Sequence, residues 1–391
     1  MEDHRARDPH DAAVSDAAST PPAGTPPRLE YLDGLRGWAS LMVVLSHVWG
    51  QFARHNSAFY SSTPLRLISD GHFAVLIFFV LSGTALSLRF TRRPQPVALV
   101  WLVAARYVRL VVPIAATTLI IYALLKLQWY GSAEAAAAAN SPIFLGPRHG
   151  LPTSLAAAAE FSFFDVLFRY DPAQSFNSSL WTMPLEFLGS LLVYALLFAF
   201  TLAPSLRRLH RVVIACLLAA ALMLAAKPLA ACFCGGYVIA EMVFAAPRVL
   251  ERGRWVAAAL LAAAAALVAM NGELDDSRGT IMATGTVMSV ACWPLLRRML
   301  SSRVSRWLGA ISFPLYLIHV AVIECAGHLF LALVRDGVAP AIATHLTVLL
   351  VVPACLLAAR LLMPVERWSI RWSRAVGNYQ LRPRPLATTS T

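Results

Sequence analysis

Apolar runs separated by short, arginine-rich breaks fill most of this 391-residue chain. Stretches long enough to span a bilayer lie at 36–54, 73–90, 107–127, 184–204, 211–226, 229–247, 255–270, 280–296, 307–333 and 338–363. A helix needs about 20 apolar residues to cross the hydrocarbon layer, so the pattern predicts an all-α polytopic membrane protein with about ten transmembrane helices. The tightest connection is the turn at Lys227-Pro228, between the fifth and sixth spans. Charge gives an independent count. With the N-terminus inside, the four inner loops and adjoining helix starts carry fifteen arginines between Arg89 and Arg306, against eight basic residues on longer outer connections. Basic residues stay on the cytoplasmic side, so both termini are expected there. Trp129, Tyr130, Trp368 and Trp372 stand where interfacial aromatics belong.

The flanks and one loop break the pattern. Residues 1–28 are rich in Ala, Pro, Asp and Ser and lack the apolar core of a signal peptide, which predicts a disordered cytoplasmic tail. Residues 29–363 form the transmembrane domain, and 364–391 read as a basic cytoplasmic tail. The outer connection at 131–183 is far longer than the others, with an Ala-rich start (Glu134 to Ala139), a Pro/Gly segment (Pro142 to Pro152) and an aromatic stretch (Phe161 to Tyr170). A loop of that length in a compact domain is usually functional, here as part of a lid or acceptor site on the outer face. Asn177-Ser178-Ser179 matches a glycosylation tripeptide, a match common by chance.

Composition supports the membrane reading: 58% of residues are hydrophobic and 14% charged, outside the range of soluble domains. The net charge of +12 is explained by arginines in the inner loops, and nucleic acid is not expected as a partner. All six cysteines fall in apolar runs and read as packing residues; no Cys/His cluster has zinc spacing, and no metal site is expected.

Several polar residues interrupt the apolar runs. The first span opens Tyr31-Leu-Asp33-Gly-Leu-Arg36-Gly and reaches His47. Eleven residues make about three helical turns, which puts Arg36 and His47 on nearly one face, about 16 Å apart along the axis. Ionisable groups at membrane depth are expensive and usually mark function. Ser82 and Gly83 in the second span read as small residues that let helices approach closely. Arg106 and Arg109 share a face at the start of the third span, with the forked geometry that suits phosphate. Trp181-Thr-Met-Pro-Leu-Glu186 places a carboxylate just inside the membrane. Ser312, Tyr316 and His319, at spacings of four and three, line one face of a late span.

Together these motifs resemble the membrane acyltransferase-3 family, multi-span enzymes that O-acylate surface polysaccharides and other extracytoplasmic acceptors. The resemblance covers about 29–363 and rests on five motifs in order. They are Arg36-x10-His47 within Leu-Asp-Gly-Leu-Arg-Gly, Phe78-Phe-Val-Leu-Ser82-Gly83, Arg106-x-x-Arg109, Leu180-Trp181-Thr182-x-x-x-Glu186, and Gly309-x-x-Ser312-Phe313-x-x-Tyr316-x-x-His319. Two departures bear on the acceptor: Leu76 and Ile77 replace an acidic residue often found before the Phe-Phe pair, and Phe-Leu-Gly-Ser follows Glu186.

The resemblance implies an O-acyltransferase that uses acetyl-CoA or another acyl-CoA as co-substrate, with no bound cofactor. Its partners would be acyl-CoA, a glycan or glycoside acceptor and the lipid bilayer, in a bacterial inner membrane. His47 is expected as general base or transient acyl carrier, and Glu186 as the residue that orients His47 or contacts the acceptor. Arg36, Arg106 and Arg109 are expected to bind the donor's phosphates. Asp33, Ser82, Trp181, Ser312, Tyr316 and His319 support the site, His319 on the donor side. The rival is a transporter or flippase for a lipid-linked glycan, since buried Arg, His and Glu also suit a substrate path. The chain shows no internal repeat and no matching pair of broken helices to favour that rival.

Overall fold

The computed structural model describes residues 29–61, 65, 68–92, 99–141, 145–146, 151, 154–245, 255, 262, 266 and 275–377. Helix α1 (Glu30–Leu45) runs into a wider π-helical turn (Ser46–Phe52). It is followed by α2 (Gly71–Arg92), α3 (Leu99–Lys126), α4 (Thr182–Leu202), α5 (Arg208–Leu224) and α6 (Pro228–Ala245). Then come α7 (Asp276–Cys292), α8 (Pro294–Leu300), α9 (Arg303–Arg335), α10 (Pro340–Leu361) and α11 (Met363–Gly377). Among the described residues there is no strand, so the all-α expectation holds.

Among the described residues, five stretches are long and apolar enough to cross a bilayer: Gly71–Leu88, Leu99–Lys126, Ser178–Leu202, Arg303–Arg335 and Pro340–Leu361. They make the chain an integral membrane protein. A sixth arises only if α7 and α8 are one span, and they meet at 94°. The cause of the bend is local. Trp293 precedes Pro294, whose ring excludes the helical region for its neighbour, and Trp293 is extended at φ −100°, ψ 112°. The expected first span starts earlier, at Glu30, and changes winding at Ser46. Helix α6 offers 17 apolar residues, Pro228–Phe244. All but three positions of the expected span at 255–270, and the tail 1–28, lie outside the described residues.

The segment expected as a basic tail is helical through Gly377. Met363, Glu366, Ser369, Ser373 and Gly377 form its buried face, which is mostly polar or small. Asn177 is buried with its amide donating to the Leu317 carbonyl at 2.6 Å, which removes the glycosylation reading. The cysteines are free thiols; Cys216 alone among them is exposed, facing out from α5 rather than packing inside.

Helices α1 and α9 run parallel and touch backbone to backbone. A Cβ on Gly37 would lie 2.4 Å from the Gly309 nitrogen, and one on Gly309 would lie 2.4 Å from the Asp33 carbonyl oxygen. From that crossing each helix rises ten residues, about 15 Å, to His47 and His319 respectively. Small residues at a membrane crossing permit this approach, and here the crossing sets the register of the two histidines. Gly37→Val is expected to cost about 1–3 kcal/mol by overpacking, because backbone cannot give way as a flexible side chain does. Thermal unfolding of the solubilised protein measures it, with Gly50→Ala as control, since a Cβ there meets nothing within 4 Å. A Gly37→Val melting curve that matches the wild type would contradict this account of the crossing.

Candidate active site

Two histidines far apart in sequence meet in the bundle. His319 Nε2 lies 3.2 Å from His47 Nδ1, with ring centroids 4.9 Å apart. Their surroundings fix the protons. His319 Nδ1 lies 2.7 Å from the Tyr316 carbonyl oxygen and 3.2 Å from that of Leu315, both of which can only accept. In the neutral ring Nδ1 therefore carries the hydrogen, and Nε2 is left as an acceptor. His47 Nδ1, 2.9 Å from the Val43 carbonyl oxygen, must then be the donor to both Val43 and His319. The lone pair of the neutral His47 ring is consequently on Nε2. His319 is fully buried, whereas His47 is half-buried and lines a cavity.

That first cavity, about 560 Å³, has mixed polar walls: Gln51, Arg54, Tyr60, Asp70 and His72 face it, together with Ser179 and Trp181. His72 Nε2 is 2.8 Å from Asp276, and the Tyr60 hydroxyl is 2.9 Å from His345 Nδ1. Desolvation pushes the Tyr60 phenol above its ordinary pKa, so it stays protonated beside that nitrogen. Trp181 keeps 36% of its surface exposed.

A narrower space of about 90 Å³ lies below, between Val75, Phe78, Phe79, Met183 and Phe313. Tyr316 and Val75 border both it and the first cavity. The Tyr316 hydroxyl donates to the Ser179 carbonyl at 2.7 Å and lies 2.8 Å from Thr182 Oγ1, so this ring is a fixed wall. Glu186 also lines the narrow space. Its carboxylate pairs with Arg106 and accepts from Ser82, while Arg106 Nε donates to Ser190 Oγ at 2.8 Å.

A third cavity, about 490 Å³, opens at the other end. It shares Arg36, Arg106, Arg109 and Phe313 with the narrow space, and Arg367 and Arg374 of α11 complete its basic wall. Glu366 grips Arg109 with both oxygens, one bond measuring 2.9 Å, and the guanidinium lies 5.1 Å over the Phe313 ring. Asp33 and Ser312 line this end; Ser312 donates to the Gly309 carbonyl and its own carbonyl accepts from Ser40.

The residues singled out in the sequence thus fall into three groups along one path. His47 pairs with His319, which is fully buried behind it. Glu186 bonds Arg106 and Ser82, not His47. Arg109 bonds Glu366, and Arg36 stands at the neck between the lower two cavities. Sequence reasoning assigned Arg367, Arg374 and Glu366 to a tail, although spacings of seven and eight are those of one helical face. It also passed over Arg54, Tyr60 and Asp70, which sit between α1 and α2 in a connection with no periodicity to expose them, and His345, near the start of α10.

The sequence matches the family model described as an acyltransferase domain over residues 29–362. It is also similar to the O-acetyltransferase PaAT-1 of Phomopsis amygdali, 29% identical over 210 residues, which covers 46% of this chain and 42% of that protein. The match therefore spans less than half the length of that relative. No solved structure matches.

Proposed function

The chain belongs to the acyltransferase-3 family, and from that premise we propose that it is a membrane O-acyltransferase moving an acyl group from cytoplasmic acyl-CoA to a hydroxyl of an extracytoplasmic glycan or glycoside. The observation that carries the reading is the series of three cavities, basic at one end and histidine-bearing at the other. The basic end takes the phosphates of the donor, on the cytoplasmic side with both termini. The narrow space, walled by Phe78, Phe79 and Phe313, takes the neutral pantetheine arm. The Arg36–His47 rise of about 16 Å is on the scale of that arm. The name of the fungal relative supports acetyl as the group carried.

At the far end the acceptor hydroxyl meets His47. Nε2 takes the hydroxyl proton as the oxygen bonds to the thioester carbonyl carbon. As the tetrahedral adduct collapses, the carbon–sulfur bond breaks and the protonated imidazole returns its proton to the departing thiolate. The products are an ester and free CoA, and His47 is neutral again. Through the whole cycle His319, held by the Tyr316 and Leu315 carbonyls, accepts from His47 Nδ1 and keeps its ring oriented. The half-exposed Trp181 offers a flat apolar face to a sugar ring, with polar side chains around it for hydroxyls.

The test compares O-acyl content of purified surface glycans from wild-type cells and from a deletion strain. Loss in the deletion, restored by the wild-type gene, is the expected result. Unchanged glycan acylation in the deletion would rule out a surface glycan acceptor. A flippase would instead alter the amount of exported glycan at constant acylation per repeat.

A further inference from the structure

Five arginines line the lower cavity, and they are not equivalent. Arg106 is paired with Glu186, and Arg109 is held by both oxygens of Glu366. Arg36, Arg367 and Arg374 form no ion pair with a carboxylate among the described residues, and the remaining acidic group on the wall is Asp33. The cations left to meet an anionic ligand therefore include two from α11, a helix that the charge pattern alone marks as a tail.

Helix α11 is built to hold those two in place. Glu366 ties it to Arg109, and Ser369 Oγ reaches the carbonyls of Arg109 at 3.1 Å and Val108 at 3.4 Å. Both anchors lie on α3. Arg367 and Arg374 are seven residues apart, two turns, so they project from one side of the fixed helix about 10 Å apart. Leu86, Leu102 and Ile370 supply apolar wall between them and Arg36. A ligand with separated phosphates and a flat apolar ring matches that arrangement: guanidinium forks for the phosphates, hydrocarbon for the base.

We propose that Arg367 and Arg374, with Arg36 at the neck, form the subsite for the phosphates of the donor's nucleotide, while Arg106 and Arg109 serve to hold α4 and α11 in place. This rests on the reading of acyl-CoA as donor. Anionic phospholipid headgroups carry the same chemistry, so the experiment separates the two sources.

Full-length protein is placed in nanodiscs of phosphatidylcholine alone, and binding of coenzyme A is measured by calorimetry beside steady-state transfer. Arg367→Gln/Arg374→Gln is expected to weaken coenzyme A binding about tenfold or more for each charge-assisted hydrogen bond removed, and to raise KM for acetyl-CoA with kcat little changed. S-acetylpantetheine, which has no phosphates, should be used equally well by variant and wild type. Arg367→Lys/Arg374→Lys should recover part of the affinity, and Arg371→Gln, off the cavity, should change nothing. Equal coenzyme A affinity in the Gln double variant and wild type would overturn the subsite and leave the donor reading standing. Loss of acetylpantetheine use in the same variant would also overturn it, since the defect would then be structural. An effect that appears only when phosphatidylglycerol is added to the discs would assign the cluster to lipid instead. Wild-type protein that binds no coenzyme A would overturn the donor reading itself, and the subsite with it.

Discussion

His47→Ala is expected to abolish acyl transfer while the protein inserts and folds as before. The ring lines a cavity rather than filling the core, so its removal leaves little new void. What disappears is the one base whose lone pair the neighbouring carbonyls and His319 fix, and general-base catalysis alone contributes about 10²- to 10⁴-fold. On the proposed mechanism His319 acts through His47, and its variants test that dependence. His319→Ala removes the acceptor for His47 Nδ1–H and is expected to lower kcat with KM for acetyl-CoA unchanged. His319→Gln places an amide oxygen near the position of Nε2 and should restore part of the rate. Transfer rates at matched protein levels measure all three. A folded His47→Ala protein with normal transfer would remove His47 from the chemistry. His319→Gln no better than His319→Ala would mean that the second ring fills space and does not orient the first.

The pairing of those rings shows which parts of the site a sequence can display. The motif spacings put Arg36 and His47 on one face of α1, and Ser312, Tyr316 and His319 on one face of α9. Each helix can be read alone, because periodicity is a local property. Their meeting depends on Gly37 and Gly309, which bring two backbones into contact 272 residues apart in sequence. The motifs contain both glycines, but nothing in either motif says that the two pack against each other. The π-helical turn at Ser46–Phe52 is hidden in the same way, since the apolar pattern runs through it without a break. There the reason lies across the fold, where a Cβ on Gly71 would meet Ser46 Oγ at 2.6 Å, so α2 starts directly against the turn.

Length and hydropathy locate the five long apolar helices among the described residues but miss a sharp bend. A sliding average blurs the break at Trp293-Pro294, although the proline is a local signal that a residue-level reading can use. Helix α11 escapes for the opposite reason. Its buried face is mostly polar or small, with Glu366 and Ser369 hydrogen-bonded to α3, while Trp368 and Trp372 face outward, so the side that packs is not the apolar side a pattern search looks for. The charged partners are the least legible part. Glu186 is expected from the motif to serve His47, but a carboxylate one turn into α4 meets whichever cation the third dimension brings to it. Here that is Arg106, from the start of a different helix.

Breaking the Arg106–Glu186 pair is expected to destabilise the protein strongly and unequally. Their side chains keep only 14% and 15% of their surface exposed, and the pair joins α3, α4 and, through Ser82, α2. Glu186→Ala leaves a guanidinium inside the bundle that cannot shed its charge, at a cost of about 3–5 kcal/mol. Arg106→Met leaves a carboxylate, which unlike a guanidinium can shed its charge, so its penalty should be smaller. The double variant Arg106→Met/Glu186→Leu removes both charges and fills similar volume, and is expected to recover most of the stability. Thermal unfolding of the four proteins in one detergent measures this ordering. Equal melting temperatures for Glu186→Ala and wild type would show that the pair holds nothing together. Transfer by the double variant then separates scaffold from chemistry: a stable but inactive double variant would mean that Glu186 or Arg106 acts on the substrate as it passes, whereas recovered transfer assigns the pair to the frame around the passage.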